Sequence, residues 1–174
     1  MNTEKNPANN LVIRKAEAGD AETVLFFIKQ LADYEKLSHE VKANVDTLKQ
    51  NLFSDNSNAN AVLAFYNNEP VGFALYFYNF STFLGKRGIY LEDLFVLPDM
   101  RGKGFGKKLF LHLIAIAKKN NCGRFEFSVL DWNEPSIKFY KSLGAESMDD
   151  WTAFRIDENR INKLTETYNF SISE

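Results

Sequence analysis

Residues 90–107 read YLEDLFVLPDMRGKGFGK, and this run constrains the fold more than any other. Tyr90–Leu97 has the apolar content of a buried strand but carries two adjacent acids, Glu92 and Asp93. A proline turn follows, then alternating glycines at 102, 104 and 106, then a long amphipathic pattern. A strand that passes through glycines into a helix is suited to hold phosphate. Glycine lets a bulky anion approach the backbone, and the first helical turn offers unpaired N–H donors at the positive end of the dipole.

Two common phosphate motifs fail on spacing. A P-loop needs a hydroxyl after Gly-Lys, and Lys108 follows Gly106-Lys107. A dinucleotide fingerprint needs G-x-G-x-x-G with an acid farther on. Glu126 stands near that distance, but Gly102, Gly104 and Gly106 run one residue short. What remains is R-x-x-G-x-G at Arg101, Gly104 and Gly106.

With 174 residues, one domain over 11–167 is the simplest organisation, with flexible tails predicted at 1–10 and 168–174. A net charge of −2 gives no general reason to expect nucleic-acid binding. The single cysteine, Cys122, excludes an internal disulfide and fits a reducing, cytoplasmic setting. No apolar run approaches a membrane span, and the polar, Asn-rich first ten residues do not resemble a secretory signal. His39 and His112 are too isolated to suggest a metal site.

Periodicity predicts strands over 11–16, 61–66, 71–79, 89–97 and 124–130, and two short ones over 145–148 and 151–156. Helices are predicted over 20–35, 44–53, 104–120 and 134–143, with a weak one over 158–167. Asp20 reads as an N-cap and Pro135 as a first-turn proline. Asn67-Asn68-Glu69-Pro70 reads as a hairpin turn. Helices before and after an antiparallel meander describe a mixed α/β sheet rather than a doubly wound one. Strict alternation along 89–97 puts Tyr90, Glu92, Leu94 and Val96 on one face and Leu91, Asp93, Phe95 and Leu97 on the other.

The glycine loop does not stand alone. About 30 residues on comes Asn133-Glu134-Pro135-Ser136-Ile137-Lys138-Phe139-Tyr140-Lys141-Ser142-Leu143-Gly144. Together with YLEDLFV before the loop, this resembles the GCN5-related N-acetyltransferases. LVIRKAEAGD, LADYEKL, YLEDLFVLPDMRGKGFG and DWNEPSIKFYKSLGA resemble the diamine (spermidine/spermine) and thialysine acetyltransferase subgroup, over most of 11–156. The resemblance implies a twisted, mostly antiparallel sheet of roughly six or seven strands with about four flanking helices, and a splayed strand pair holding coenzyme A. It implies direct acetyl transfer from acetyl-CoA to a small amine within a ternary complex, no metal, and a homodimer.

An amine with a reference pKa near 10.4 arrives as ammonium, so a base must take its proton. The leaving thiolate, whose acid titrates near 8.5, needs a donor. The resemblance assigns Glu92 as the base, through water or directly, and Tyr140 as the acid. For the cofactor it implies Leu94, Phe95 and Val96 along the pantetheine arm. It places Arg101, Gly102, Lys103, Gly104, Phe105, Gly106 and Lys107 around the phosphates, with Asn133, Ser136 and Tyr140 beside them. For the substrate it implies Tyr34, Glu35, Glu92, Asp93, Glu126, Phe127, Ser128 and Asp150, with Asp149 more loosely. Residues 79–85 lack the acid and tryptophan of the polyamine pattern and 147–151 is short, which favours a shorter amine such as thialysine or a lysine-like amino acid. A protein or peptide amine acetyltransferase and a non-catalytic acetyl-CoA sensor are the alternatives.

Overall fold

The structure, a computed structural model, describes residues 10–168. The expected tails lie outside the described residues except for Asn10 and Tyr168, and Tyr168 closes the last helix. The chain forms two compact units, meeting between Ser128 and Val129.

The first unit is a five-stranded sheet in the order β1-β2-β3-β4-β5. The strands are β1 (Leu11–Lys15), β2 (Ala59–Tyr66), β3 (Glu69–Ser81), β4 (Lys86–Val96) and β5 (Arg124–Phe127). β1 to β4 are antiparallel, and β5 lies parallel to β4. The β2–β3 hairpin closes through Asn67 and Asn68 at φ 52° and 68°. This is the doubly left-handed loop that matches strand twist, and asparagine tolerates it.

Helices α1 (Ala21–Glu35) and α2 (Val45–Leu52) cover one face of the sheet. Val24 and Phe27 of α1 and Leu52 of α2 bury themselves against Ala61, Leu63, Phe73 and Phe95. Phe27 stacks on Phe73 with centroids 5.5 Å apart. Helix α3 (Phe105–Lys119) covers the opposite face through Leu109, Phe110 and Leu113, and Phe110 meets Phe125 and Phe127 edge-on. Asp20 occupies the N-cap position of α1, but its carboxylate does not cap. It accepts from the Glu17 amide at 2.8 Å and from both terminal nitrogens of Arg14, at 2.7 and 2.8 Å.

The second unit holds α4 (Glu134–Lys141) and α5 (Glu158–Tyr168). The two short strands expected at 145–148 and 151–156 do not form. Their β-branched and aromatic content reads as strand, but strand propensity expresses packing against neighbours, and Trp151, Phe154 and Ile156 are exposed. The sheet therefore has fewer strands than the sequence suggests, while the mixed α/β architecture is as expected.

Candidate active site

The sheet opens along β4. On the β3 side its ladder runs from Ser81↔Lys86 to Gly72↔Val96. On the β5 side pairing covers only Gly88 to Leu91. Beyond Leu91 the two parallel strands part, leaving Asp93 to Val96 bonded on one side only. The divergence begins at a bulge: Leu75 faces Asp93 and Tyr76 faces Leu91, so Glu92 is the extra residue. Glu92 is exposed there.

The bulge overturns strict alternation. Leu91 pairs with Phe127, which packs on Phe110 of α3, so Leu91 shares the α3 face with Leu94 and Val96. Tyr90 moves to the α1 face with Asp93 and Phe95, and its ring stacks on Phe77. No local signal marks the slip, because the partner strand imposes it.

Beside the open end of β4, Gly102 and Gly104 adopt φ 75° and 81°, a conformation that side chains disfavour. A Cβ at either would meet nothing within 4 Å, so the backbone lies open. The first α3 bond runs from the Lys108 amide to the Gly104 carbonyl at 3.1 Å. Among the described residues no acceptor takes the amides of 102–107. These free donors, at the head of a fifteen-residue helix, fit an anionic phosphate group.

The side chains of the loop behave differently from its backbone. Arg101 turns back, donating from Nε to the Val96 carbonyl at 3.0 Å. Its guanidinium lies 4.6 Å from the Tyr34 ring centre and 5.3 Å from that of Phe95. Lys103 Nζ donates to the Asp99 carbonyl at 3.0 Å. Both cations support the turn and the end of β4. Phe105 is buried in the core against Tyr66, while Lys107 is exposed.

Between α1, the loop that follows it and β4 lies a cavity of about 340 Å³. Ile28, Leu31, Leu37 and Val41 supply apolar wall. Its charged groups are Glu35, Asp93, Glu40 and Lys42. Burial, with the negative charges of Glu92 and Glu35 nearby, pushes Asp93 up to about 7. Burial also raises Glu35. No cation pairs with either carboxylate among the described residues. Two carboxylates on one cavity, neither in an ion pair among the described residues, repel each other, and a cationic ligand would relieve that repulsion.

The structure thus brings Glu35 and Asp93 together, whereas Tyr34 packs on Phe95 and under Arg101 and does not line the cavity. Glu126, Phe127 and Ser128 do not line this cavity. Glu126 Oε2 lies 2.8 Å from Arg124 Nε and accepts from Asn79 Nδ2 at 2.8 Å. Phe127 packs on Phe110, and the Tyr90 hydroxyl and Ser128 Oγ are 2.7 Å apart. The sequence reading missed Glu40 and Lys42. A charged loop after a helix is ordinary surface, and only the fold shows that it walls a cavity. Asn79 also went unnoticed as the partner of Glu126.

Within the second unit, Asn133 is buried and caps α4, accepting from the Ser136 amide at 3.3 Å. Tyr140 sits near the end of α4, half-buried, with its ring edge-on to Phe139 at 5.0 Å. Burial pushes its hydroxyl up to about 12, so it stays protonated throughout the neutral range. Asp149 accepts from Ser147 Oγ at 3.1 Å, and Asp150 is exposed. Among the described residues no three His, Cys, Asp or Glu side chains gather as a metal ion would need. No helix there is long and apolar enough to cross a membrane.

The open strand, free amides and glycine turn coincide with a family match. The model of the acetyltransferase (GNAT) family matches residues 26–145. The chain belongs to this acetyltransferase family. A thialysine N-epsilon-acetyltransferase from Sus scrofa is 35% identical over 166 residues, covering 89% of this chain and 97% of the relative. An L-ornithine N5-acetyltransferase from Arabidopsis thaliana is 42% identical over 93 residues, covering 53% of this chain and 41% of the relative. Among solved structures, an integron cassette protein from the mobile metagenome of V. cholerae superposes with a TM-score of 0.76 at 29% identity. That match covers 90% of this chain and 98% of the other. As a member of an enzyme family with relatives of this kind, the chain is an N-acetyltransferase.

Proposed function

We propose that this GNAT enzyme transfers the acetyl group of acetyl-CoA directly, in a ternary complex, to a primary amine of a small cationic substrate. The candidates are a diamine or polyamine, or a lysine-like amino acid such as thialysine. The cavity carries this reading: unpaired Asp93 and Glu35 against apolar walls are complementary to an alkylammonium group. The relatives' names, thialysine and L-ornithine acetyltransferases, support the same substrate class.

Acetyl-CoA supplies the acyl group as a thioester, activated toward an amine. The amides of 102–107 would hold its pyrophosphate, with Lys107 adding charge. The unpaired β4 edge at Leu94, Phe95 and Val96 would take the amide-bearing arm, with Asn133 and Ser136 as further contacts. Glu92, exposed at the bulge, takes the ammonium proton through water or directly, while Asp93 and Glu35 hold the amine.

Tyr140 donates to the departing sulfur. With the phenol near 12, full proton transfer to a thiolate whose acid titrates near 8.5 runs uphill by about 5 kcal/mol. Its contribution is therefore a hydrogen bond to a developing charge, worth about 1.5–3 kcal/mol. Exposed Trp151, Phe154, Ile156 and Ile161 support a homodimer, and a monomer in sedimentation at assay concentration would remove that part. A cytoplasmic setting, with neither nucleic acid nor membrane as partner, completes the proposal.

The test is CoA thiol release with putrescine, spermidine, thialysine and lysine, in the native enzyme and in Tyr140→Phe. Turnover of a small amine is expected, with kcat about 10–100-fold lower in the variant. Tight acetyl-CoA binding without turnover on any amine would indicate a sensor. An unchanged kcat in Tyr140→Phe would remove Tyr140 from the chemistry.

A further inference from the structure

Lys42 is the one lysine or arginine that lines the cavity of Glu35 and Asp93. It lies on the loop between α1 and α2 and is exposed. Among the described residues its ammonium forms no ion pair. The loop is fixed on either side of it. The Val41 amide donates to the Ser38 carbonyl at 3.4 Å, and Asn44 caps α2 by accepting from the Thr47 amide at 2.9 Å. Between these points the amides of Lys42 and Ala43 donate to no backbone acceptor among the described residues. The lysine is thus tethered at the cavity wall without a bond of its own to fix it there.

A lysine side chain is itself a primary alkylamine, the class of acceptor proposed above. Five bonds separate Nζ from Cα, a reach of about 6 Å. A sphere of the cavity's volume, about 340 Å³, would be about 9 Å across, so the side chain can span much of it. Asp93 lines the same cavity and is flanked along β4 by Glu92 and by the open edge at Leu94.

We propose that Lys42 is a self-acetylation site: when no free amine occupies the cavity, the enzyme transfers the acetyl group of acetyl-CoA to Lys42 Nζ. The proposal rests on the acetyltransferase reading above and adds a modification site to it. The ammonium first loses a proton to Glu92 or to water. Nζ then attacks the thioester carbonyl carbon, the C–N bond forms and the C–S bond breaks. The nitrogen gives up a second proton and the departing thiolate takes one up, leaving Nε-acetyl-Lys42 and CoA. A tethered amine acts at an effective concentration of about millimolar, so a free substrate above that level outcompetes it. The acetylated side chain is uncharged and bulkier, so the modified cavity differs in both charge and free volume.

The full chain is incubated with acetyl-CoA and no amine. Acetylation is followed by intact mass and located by peptide mass spectrometry. A single acetyl group should appear on Lys42, at least about tenfold faster than on the exposed Lys29 of α1 and Lys49 of α2. Its first-order rate constant should not change with enzyme concentration, and any free amine that the enzyme turns over should suppress it. In Lys42→Arg, whose guanidinium stays protonated, that acetyl group should be missing. Equal labelling of Lys42, Lys29 and Lys49, or a rate constant proportional to enzyme concentration, overturns the proposal and leaves the acetyltransferase reading intact. So does an unmodified Lys42 in an enzyme that turns over a free amine. Acetylated Lys42 without turnover of any free amine sustains the proposal and overturns the small-amine reading. Neither turnover nor acetylation overturns both.

Discussion

The two halves of β4 show what a strand looks like when it is used for stability and when it is left open. From Gly88 to Leu91 it is paired on both sides, and the nearby carboxylate, Glu126, has Arg124 and Asn79 as partners. From Asp93 to Val96 it is paired on one side, and among the described residues no cation pairs with its carboxylate. The first half has its backbone paired on both edges, although Asn79 Oδ1 and Arg124 Nε beside it are buried without a hydrogen bond. The second keeps one backbone edge available at a cost in stability, offset by the packing of Phe95 beneath α1. An unpaired backbone edge next to a buried carboxylate with no ion-pair partner among the described residues is the expected arrangement where a ligand completes the structure.

Asp93→Asn should break this comparison most sharply. Removing the charge from the open half should lower kcat/KM for the amine by about 100-fold, about 2.7 kcal/mol. The same change should stabilise the fold. The folded carboxyl titrates at about 7 against an ordinary 3.8, so between those values the unfolded chain loses a proton that the folded one retains. Native stability therefore falls as pH rises through that window, by at most about 4 kcal/mol, and Asn escapes the loss. Thermal unfolding at pH 8 should show the variant more stable than the native protein, and at pH 4 nearly equal. A variant less stable at pH 8 would mean that Asp93 has a structural partner and that the open half is not open.

The closed half should respond in the opposite sense. Gly88 is buried, and a Cβ there would come within 2.3 Å of Asn79 Oδ1 and 2.7 Å of Arg124 Cγ. Gly88→Ala must push both side chains away and loosen their hold on Glu126. The expected cost is about 1–3 kcal/mol of stability, read as a lower midpoint in urea with an unchanged slope. The pH dependence attributed to Asp93 should persist in this variant. If it vanished, the two halves would be one coupled unit.

How much of this was legible follows the range of the interactions. The glycines at 102 and 104 were readable because positive φ is a local demand, and Asn67-Asn68 for the same reason. The apolar spacing of α1 and α3 identified the helices, since amphipathic periodicity is also local. The bulge was not readable: Glu92 is displaced by the register of β3, which nothing near Glu92 encodes. Arg101 had the expected place in its motif, yet its side chain is held by Tyr34, 67 residues away, and by Phe95. The late strands failed likewise, because Trp151 and Phe154 have strand-like chemistry without a strand to meet. The candidate site combines a local part, the glycine turn and free amides, with a nonlocal part, the cavity whose Lys42 and Glu40 come from a loop.

Glu126 sharpens the contrast with the smallest effect. It was a substrate candidate by resemblance, and it now sits 2.8 Å from Arg124 Nε and 2.8 Å from Asn79 Nδ2. A carboxylate already held by a cation and an amide has less to offer an incoming ammonium than Asp93 has. Glu126→Gln keeps the shape and an oxygen acceptor for Asn79 while removing the ion pair. For a partly exposed pair the loss should be about 1 kcal/mol or less in stability, shrinking further at high salt. Its kcat/KM for the amine should stay within about threefold of the native value, well short of the effect of Asp93→Asn. A loss in Glu126→Gln approaching that of Asp93→Asn, with stability unchanged, would place Glu126 with the substrate and end the division of β4 into a closed and an open half.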